Sequence, residues 1–243
     1  MFTRSVRVMP SDVSCDGRIK LRSLLNYFQD TAGLAVEDIE GTSTELYSRG
    51  YAWVLMKYEI DFAGKLPMLD DTFTIHTFHD PNHGYNTLRM FQVYNGQQEN
   101  IVSAKTSWLL VDVHTGRPVK PTAHIPGIAS RDNQDISPDF TDIPDIDTVT
   151  RSANITVKYH DLDYNGHVNN AVYFEWVYDL SPVDIMTHSL RRICALFRSG
   201  ARQRECVTVD FSVRENMCVS RVYRPNSTKP CASFLCVWSV NHE

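Results

Sequence analysis

The stretch KYHDLDYNGHVNNAVYFEWVYD, residues 158–179, places Asp161, Asp163, Asn165, His167, Asn169 and Asn170 directly ahead of an aromatic-rich run of helical type. Asp163-x-Asn165-x-His167 is a set able to carry acyl chemistry. A carboxylate attacks a carbonyl or activates water as a general base. An asparagine amide donates to a developing oxyanion, and a histidine donates or shuttles a proton near neutral pH. A helix expected to start at 168–170 adds free backbone N–H groups and partial positive charge beside that centre. Together these suit acyl transfer to water, and the chain carries no GxSxG serine elbow to do it otherwise. Metal binding is the competing chemistry, but one histidine with two carboxylates and no second clustered histidine is a poor zinc set. The structural alternative is a loop of Asx-turns and caps. It weighs most for Asn169 and Asn170, which fall where a helix cap is expected.

What must position these residues is read from a repeat. SDVSCDGRIKLRSLLNYFQD (11–30) lies over HDLDYNGHVNNAVYFEWVYD (160–179) without a gap, pairing Asp12 with Asp161, Asp16 with Asn165, Gly17 with Gly166, Arg18 with His167, Ile19 with Val168 and Asp30 with Asp179. Each copy follows a β-branched run and leads into a helical pattern, then into strand-like segments. Asn95-Gly96 reads as a hairpin turn between two of them. The expected class is α+β: two tandem copies, each burying a sheet face against its own helix, packed as a pseudo-dimer. A single large α+β domain with accidental similarity is the alternative, which the ungapped match disfavours. Gly17 and Gly166 supply a tight turn, and Asp12 and Asp161 brace it in both copies. The copies differ at Ser14/Asp163, Asp16/Asn165 and Arg18/His167, so the chemistry is expected in the second copy alone.

From Pro118 to Thr150, proline and aspartate recur with little periodicity, and Asp132, Asp135, Asp139, Asp142, Asp145 and Asp147 read as a solvated linker. The expected division is 1–120, a 121–150 linker, and 151–243. Composition is that of a soluble globular protein, with 42% apolar and 22% charged residues. A net charge of -5 without a dominant basic tract points away from nucleic acid. The opening MFTRSVRVMP lacks a signal-peptide core and no apolar run reaches membrane-spanning length, so a cytoplasmic protein without a membrane partner is expected. Six cysteines without a CxxC pair read as reduced, mostly buried thiols.

HDLDYNGHVNNAVYFEWVYD resembles the active-site segment of acyl-ACP thioesterases, and LRSLLNYFQDTAG, RGYAWVLMKYEIDF, the Arg89 strand and TSWLLVDVHTGRPVKP resemble that family's first-half segments in order. Short motifs of the D-x-x-G-H-V-N-N type also occur in single-domain acyl-CoA thioesterases, so it is the tandem arrangement that favours the acyl-ACP family. The resemblance implies a hot-dog fold in each half, a long helix wrapped by an antiparallel sheet. It implies hydrolysis of the thioester between a fatty acyl chain and acyl carrier protein, in fatty acid biosynthesis, with no metal or organic cofactor. The family's catalytic residues map onto Asp163, Asn165 and His167. The carboxylate would attack or activate water while the other two position the thioester and stabilise charge.

The family's acyl tunnel is attributed to the first half, which makes Phe28, Trp53 and Met56 candidate lining residues beside the reading that they are ordinary core. Acyl carrier protein is acidic, so Arg191, Arg192, Arg198, Arg202 and Arg204 are candidates for its docking patch. Pairing of two chains into a homodimer is left open. One departure is evident: where the family often carries a catalytic glutamate, alignment puts Gly200, with Ala201 where some members have cysteine. Glu205 is near but out of register. An acyl-CoA thioesterase and a non-catalytic acyl-binding protein are the alternatives.

Overall fold

The first strand, Phe2–Arg7 (β1), leads through the Asp12–Gly17 loop into Leu21–Leu34 (α1), where Leu24, Leu25, Phe28 and Thr31 recur at helical spacing and are buried. This computed structural model describes residues 1–129 and 136–240. Its chain divides into two units, Met1–Tyr58 with Phe62–Phe140, and Glu59–Asp61 with Thr141–Glu243.

In the first unit α1 is followed by the short helices Glu37–Glu40 (α2) and Ser43–Ser48 (α3). Then come Tyr51–Phe62 (β2), Thr72–His83 (β3), Asn86–Tyr94 (β4), Asn100–Asp112 (β5), Arg117–Val119 (β6) and Pro121–His124 (α4). The second unit runs Arg151–Thr156 (β7), Asn170–Asp179 (α5), His188–Phe197 (β8), Cys206–Arg214 (β9), Met217–Tyr223 (β10) and Ala232–Val240 (β11). Strand order is β1-β3-β4-β5-β2 in the first and β7-β9-β10-β11-β8 in the second, the same topology element for element. The repeat read from the two loops therefore extends through every major strand, including the carboxy-terminal ones whose sequences match least.

Each helix lies on its own sheet. Phe28 of α1 stacks on Phe91 of β4 with centroids 4.8 Å apart and planes 12° apart, and Tyr27 meets Phe73 edge-on at 6.0 Å. In the second unit Phe174 meets Phe234 edge-on at 5.2 Å, and Tyr173 packs against Phe197 at 5.8 Å. This is the helix-on-antiparallel-sheet arrangement that the resemblance implied.

The proline- and aspartate-rich segment has local structure of its own. Ile125 and Ile128 pack with Leu46 and Leu110, and Ile136 and Phe140 pack with Phe78 and Leu88. By strand alternation Leu88 points away from the Phe91 face, so Ile136 and Phe140 cover the side of the sheet opposite α1. Ile143 and Ile146 pack in the same way over Cys194, Val219 and Leu235 of the second unit. The intervening aspartates Asp139, Asp142, Asp145 and Asp147 are exposed, as expected, whereas Asp132 and Asp135 lie outside the described residues. Buried Arg221 donates to the Pro144 carbonyl and lies 3.7 Å from Asp145, pinning this strap by its backbone.

The Asn95-Gly96 signal marks a turn but not a two-residue one. Asn95 Oδ1 accepts the N–H groups of Gln97 and Glu99, and the left-handed residue is Gln98 at φ +64°, because the asparagine side chain braces a wider loop. All six cysteines are free; Cys15 and Cys206 are exposed and the other four are buried. Among the described residues no helix is long and apolar enough to cross a membrane.

The Phe28–Phe91 stack makes Phe28 a core residue. Phe28→Ala is expected to cost about 3–5 kcal/mol of unfolding free energy, read by urea denaturation. A loss within experimental error would mean that Phe28 lines a space already open.

Candidate functional site

The two loops repeat one another hydrogen bond by hydrogen bond. Asp12 Oδ2 accepts the Met9 N–H at 2.9 Å, and Asp161 Oδ2 accepts the Lys158 N–H at 2.7 Å. The Ser14 N–H donates to the Arg18 carbonyl at 2.9 Å, as the Asp163 N–H does to that of His167 at 2.7 Å. Gly17 and Gly166 donate to Ser14 and Asp163 from φ +78° and +75°, a left-handed backbone that glycine adopts without penalty. Lys20 and Asn169 close the loops by donating to Asp12 and Asp161 at 2.8 Å each. The bracing role read for Asp12 and Asp161 is what these bonds describe. In the first copy Asp12 also accepts from Tyr27 at 2.8 Å; burial first, then this bond, pushes the Tyr27 phenol up to about 12.

Side-chain chemistry separates the copies. In the first, Ser14 Oγ donates to Asp16 Oδ1 at 2.6 Å, and the same oxygen takes the Arg18 N–H at 3.0 Å. Asp16 also lies 3.7 Å from the Arg18 guanidinium, and the Ser14 bond leads the causes holding its carboxyl below the ordinary value. Ser14, Asp16 and Arg18, the counterparts of Asp163, Asn165 and His167, are thus engaged with one another. In the second copy the bracing carboxylate has moved two positions: Asp163 Oδ1 accepts the Asn165 N–H at 2.8 Å and the His167 N–H at 3.2 Å. Asn165, at the position of Asp16, is thereby relieved of bracing. Among the described residues, Asp163 Oδ2 and the side chains of Asn165 and His167 make no hydrogen bond. Asn169 caps α5 by accepting the Ala171 N–H at 2.9 Å, as expected of it, so the positive end of that helix follows directly.

A second segment supports the loop from below. The turn after β8 sends the Ala201 carbonyl to the Val168 N–H at 2.9 Å, and its N–H to the Tyr173 hydroxyl at 2.8 Å. The Arg198 and Ser199 N–H groups donate to the Cys231 carbonyl at 2.8 and 3.3 Å. Burial pushes the Tyr173 phenol and the Cys231 thiol upward, so both stay neutral. Gly200 sits against His167: a Cβ placed on it would lie 2.7 Å from each of His167 Cβ, Cγ and Cδ2. Tyr173 and this contact escaped the sequence reading. An aromatic residue on a buried helix face carries no local mark of a buried hydroxyl partner.

Other candidates are dispersed. Arg191 and Arg192 are neighbours on β8 at a break in its register with β11, where Arg192 pairs with Val237 and Leu190 with Trp238; Arg191 donates to Ser239 at 2.7 Å and Arg192 to Asp61 at 2.5 Å. That bond to Asp61 is the chief cause raising the Arg192 pKa. Arg198 lies six residues beyond Arg192, about 20 Å along a strand, so the five arginines form no single patch. Exposed Arg198, Arg202 and Arg204 are the ones on the turn beside the loop, where the Arg204 N–H donates to the Val157 carbonyl at 3.0 Å. Glu205 is bound by Arg224 at 2.6 and 2.9 Å and accepts the Arg202 N–H at 3.1 Å, which commits it to holding the turn. In the first unit Trp53 packs on the Leu46–Leu110 cluster, Phe28 stacks on Phe91, and Met56 is half-buried.

Comparison with known proteins adds an independent line. Two family models match: the acyl-ACP thioesterase N-terminal domain over residues 1–125 and its C-terminal domain over residues 145–221. A palmitoyl-acyl carrier protein thioesterase, chloroplastic, of Cuphea hookeriana is 24% identical over 229 residues, covering 85% of this chain and 52% of that protein. An oleoyl-acyl carrier protein thioesterase of Arabidopsis thaliana is 23% identical over 239 residues, covering 89% and 64%. The chain thus spans about half the length of the first of these relatives. The fold matches an acyl-ACP thioesterase from Bacteroides thetaiotaomicron with TM-score 0.82 and 22% identity, over 98% of this chain and 97% of that one. It also matches the 12:0-ACP thioesterase from Umbellularia californica with TM-score 0.85 and 18% identity, over 99% and 97%.

Arg224 is the main cause lowering the Glu205 pKa below the usual 4.5, so the stability this pair adds is complete above that pH. It is lost as pH falls through the lowered folded value. Glu205→Gln should therefore be less stable than the parent at pH 7, with the gap closing toward pH 3. Urea unfolding across that range checks it, and a constant gap would rule the pair out.

Proposed function

The chain belongs to the acyl-ACP thioesterase family, and from that premise we propose that it hydrolyses fatty acyl-acyl carrier protein to free fatty acid and the carrier thiol. The observation that carries this reading is the contrast between the loops. One oxygen of Asp163 closes the second loop and the other is left over, in a loop where, among the described residues, the Asn165 and His167 side chains make no hydrogen bond. In the first loop all of the equivalent capacity is consumed.

Asp163 Oδ1, held by two backbone N–H groups, fixes the carboxylate plane and leaves Oδ2 to act on water or on the thioester carbonyl. As the new C–O bond forms, the carbonyl oxygen takes up charge that the Asn165 amide is suited to receive. Cleavage of the C–S bond needs a proton for the departing thiolate, and His167 is the group of suitable chemistry. The acyl chain occupies the first unit, where Trp53 and Met56 remain half-buried and Phe28 backs the wall through Phe91. Carrier protein docks on Arg198, Arg202 and Arg204 at the rim of the loop, and Arg191 and Arg192 add a weaker, more distant field. These exposed cations attract an acidic partner even though the chain as a whole is acidic.

Fatty acid release from a panel of acyl carrier protein thioesters, run beside the matching coenzyme A thioesters, tests the reading. Preference for the carrier protein is expected. Preference for coenzyme A would move the assignment to an acyl-CoA thioesterase, and hydrolysis of neither would favour an acyl-binding protein. Asp163→Asn should lower turnover about 10²- to 10⁴-fold with the fold intact by circular dichroism; retained turnover would remove Asp163 from the mechanism. Reversing charge in Arg202→Glu/Arg204→Glu should raise KM for the carrier-protein substrate several-fold and spare a neutral acyl-pantetheine. An equal effect on both substrates would exclude docking there.

A further inference from the structure

We propose that Gly200 is a positioning residue for His167: the bare main chain of the 199–201 turn is the seat against which the imidazole is fixed. The proposal rests on the thioesterase reading for its catalytic meaning and on geometry alone for the seat.

Three facts converge. First, Gly200 is not glycine for the sake of backbone freedom, since it is absent from the residues with positive φ, unlike Gly166 at +75°. Second, the space that a Cβ would take is filled by Cβ, Cγ and Cδ2 of His167, all at 2.7 Å, well inside a normal carbon–carbon contact of about 3.5–4.0 Å. These atoms stand at the root of the histidine side chain, where rotation about χ1 or movement of the loop itself is required to relieve a clash.

Third, neither side of the contact can withdraw easily. The turn is held by the Ala201 N–H to Tyr173 Oη at 2.8 Å and by the Arg198 and Ser199 N–H groups on the Cys231 carbonyl. The loop is held by the Val168 N–H on the Ala201 carbonyl at 2.9 Å and by the His167 N–H on Asp163 Oδ1 at 3.2 Å. The imidazole is thus confined between its own braced loop and a turn anchored to the buried face of α5.

This explains the departure from the family at this position in physical terms. A glutamate here would need its Cβ where the His167 ring begins, so the missing carboxylate cannot be restored by one substitution while His167 keeps its place. Gly200→Glu is expected to lose activity rather than gain it.

The test is a double-mutant cycle combined with kinetics. Gly200→Ala should lower the melting temperature in the parent background and lower it much less in a His167→Gly background, because all three clashing atoms, Cβ included, are gone. The His167 ring signals in a ¹H–¹³C spectrum should shift in Gly200→Ala. On acyl carrier protein substrate, kcat should fall about 100-fold with KM little changed. Equal melting shifts in the two backgrounds, unshifted ring signals, or parental kcat in Gly200→Ala would each overturn the proposal. If the parent hydrolyses no thioester, the thioesterase reading fails by itself, and the melting cycle and ring signals still decide the seat.

Discussion

A single carboxylate oxygen, Asp163 Oδ1, closes the second loop by accepting two backbone N–H groups at 2.8 and 3.2 Å, and the rest of the proposed site depends on it. A loop that turns through a left-handed glycine into a helix leaves N–H groups pointing inward, and something must receive them. The first copy uses Asp16 for this and then neutralises Asp16 with Ser14 and Arg18. The second copy receives them two residues earlier. That shift frees the Asn165 position from a structural duty while leaving the fold of the loop unchanged.

The freed groups are useful only if they are held still. Asn169 ties the loop to the first turn of α5, and the Val168–Ala201 bond ties it to the turn after β8. Glu205 extends the support outward: it accepts the Arg202 N–H, pairs with Arg224, and through its carbonyl takes the Val157 N–H at 2.9 Å, next to the start of the loop. A residue that looked like a displaced catalytic carboxylate is therefore part of the frame. Its lowered pKa reflects the salt bridge, not readiness for acid–base work.

Burial supplies the stiffness beneath this frame. Tyr173 lies between Trp176 and Phe197, with its hydroxyl directed to the Ala201 N–H, so the aromatic core of the second unit and the turn under His167 share one side chain. The strap residues Ile143 and Ile146 and the anchor Arg221 protect the far side of the same sheet. In the first unit buried Leu24 stands at the position of Tyr173, and the sheet is covered by Phe28 on Phe91 and, on its other side, by Ile136 on Phe78 and Leu88.

The duplication, the α+β class, the start of α5 and the two loops with their differing side chains were all legible in the residues. Each is a local pattern: a repeated glycine, an apolar period, or a set of side chains within one turn. Asn169 as a cap and Asp12 and Asp161 as braces were legible for the same reason. The dispersal of the five arginines was not, because residues close in number fall at the two ends of one strand and on the turn beyond it. Nor were the commitment of Glu205 to Arg224, the Tyr173 hydroxyl under Ala201 and the contact of Gly200 with His167. Those depend on β8 returning the chain to the loop, and the distance between two residues so brought together is set by the packing of α5 on its sheet, which no local spacing encodes.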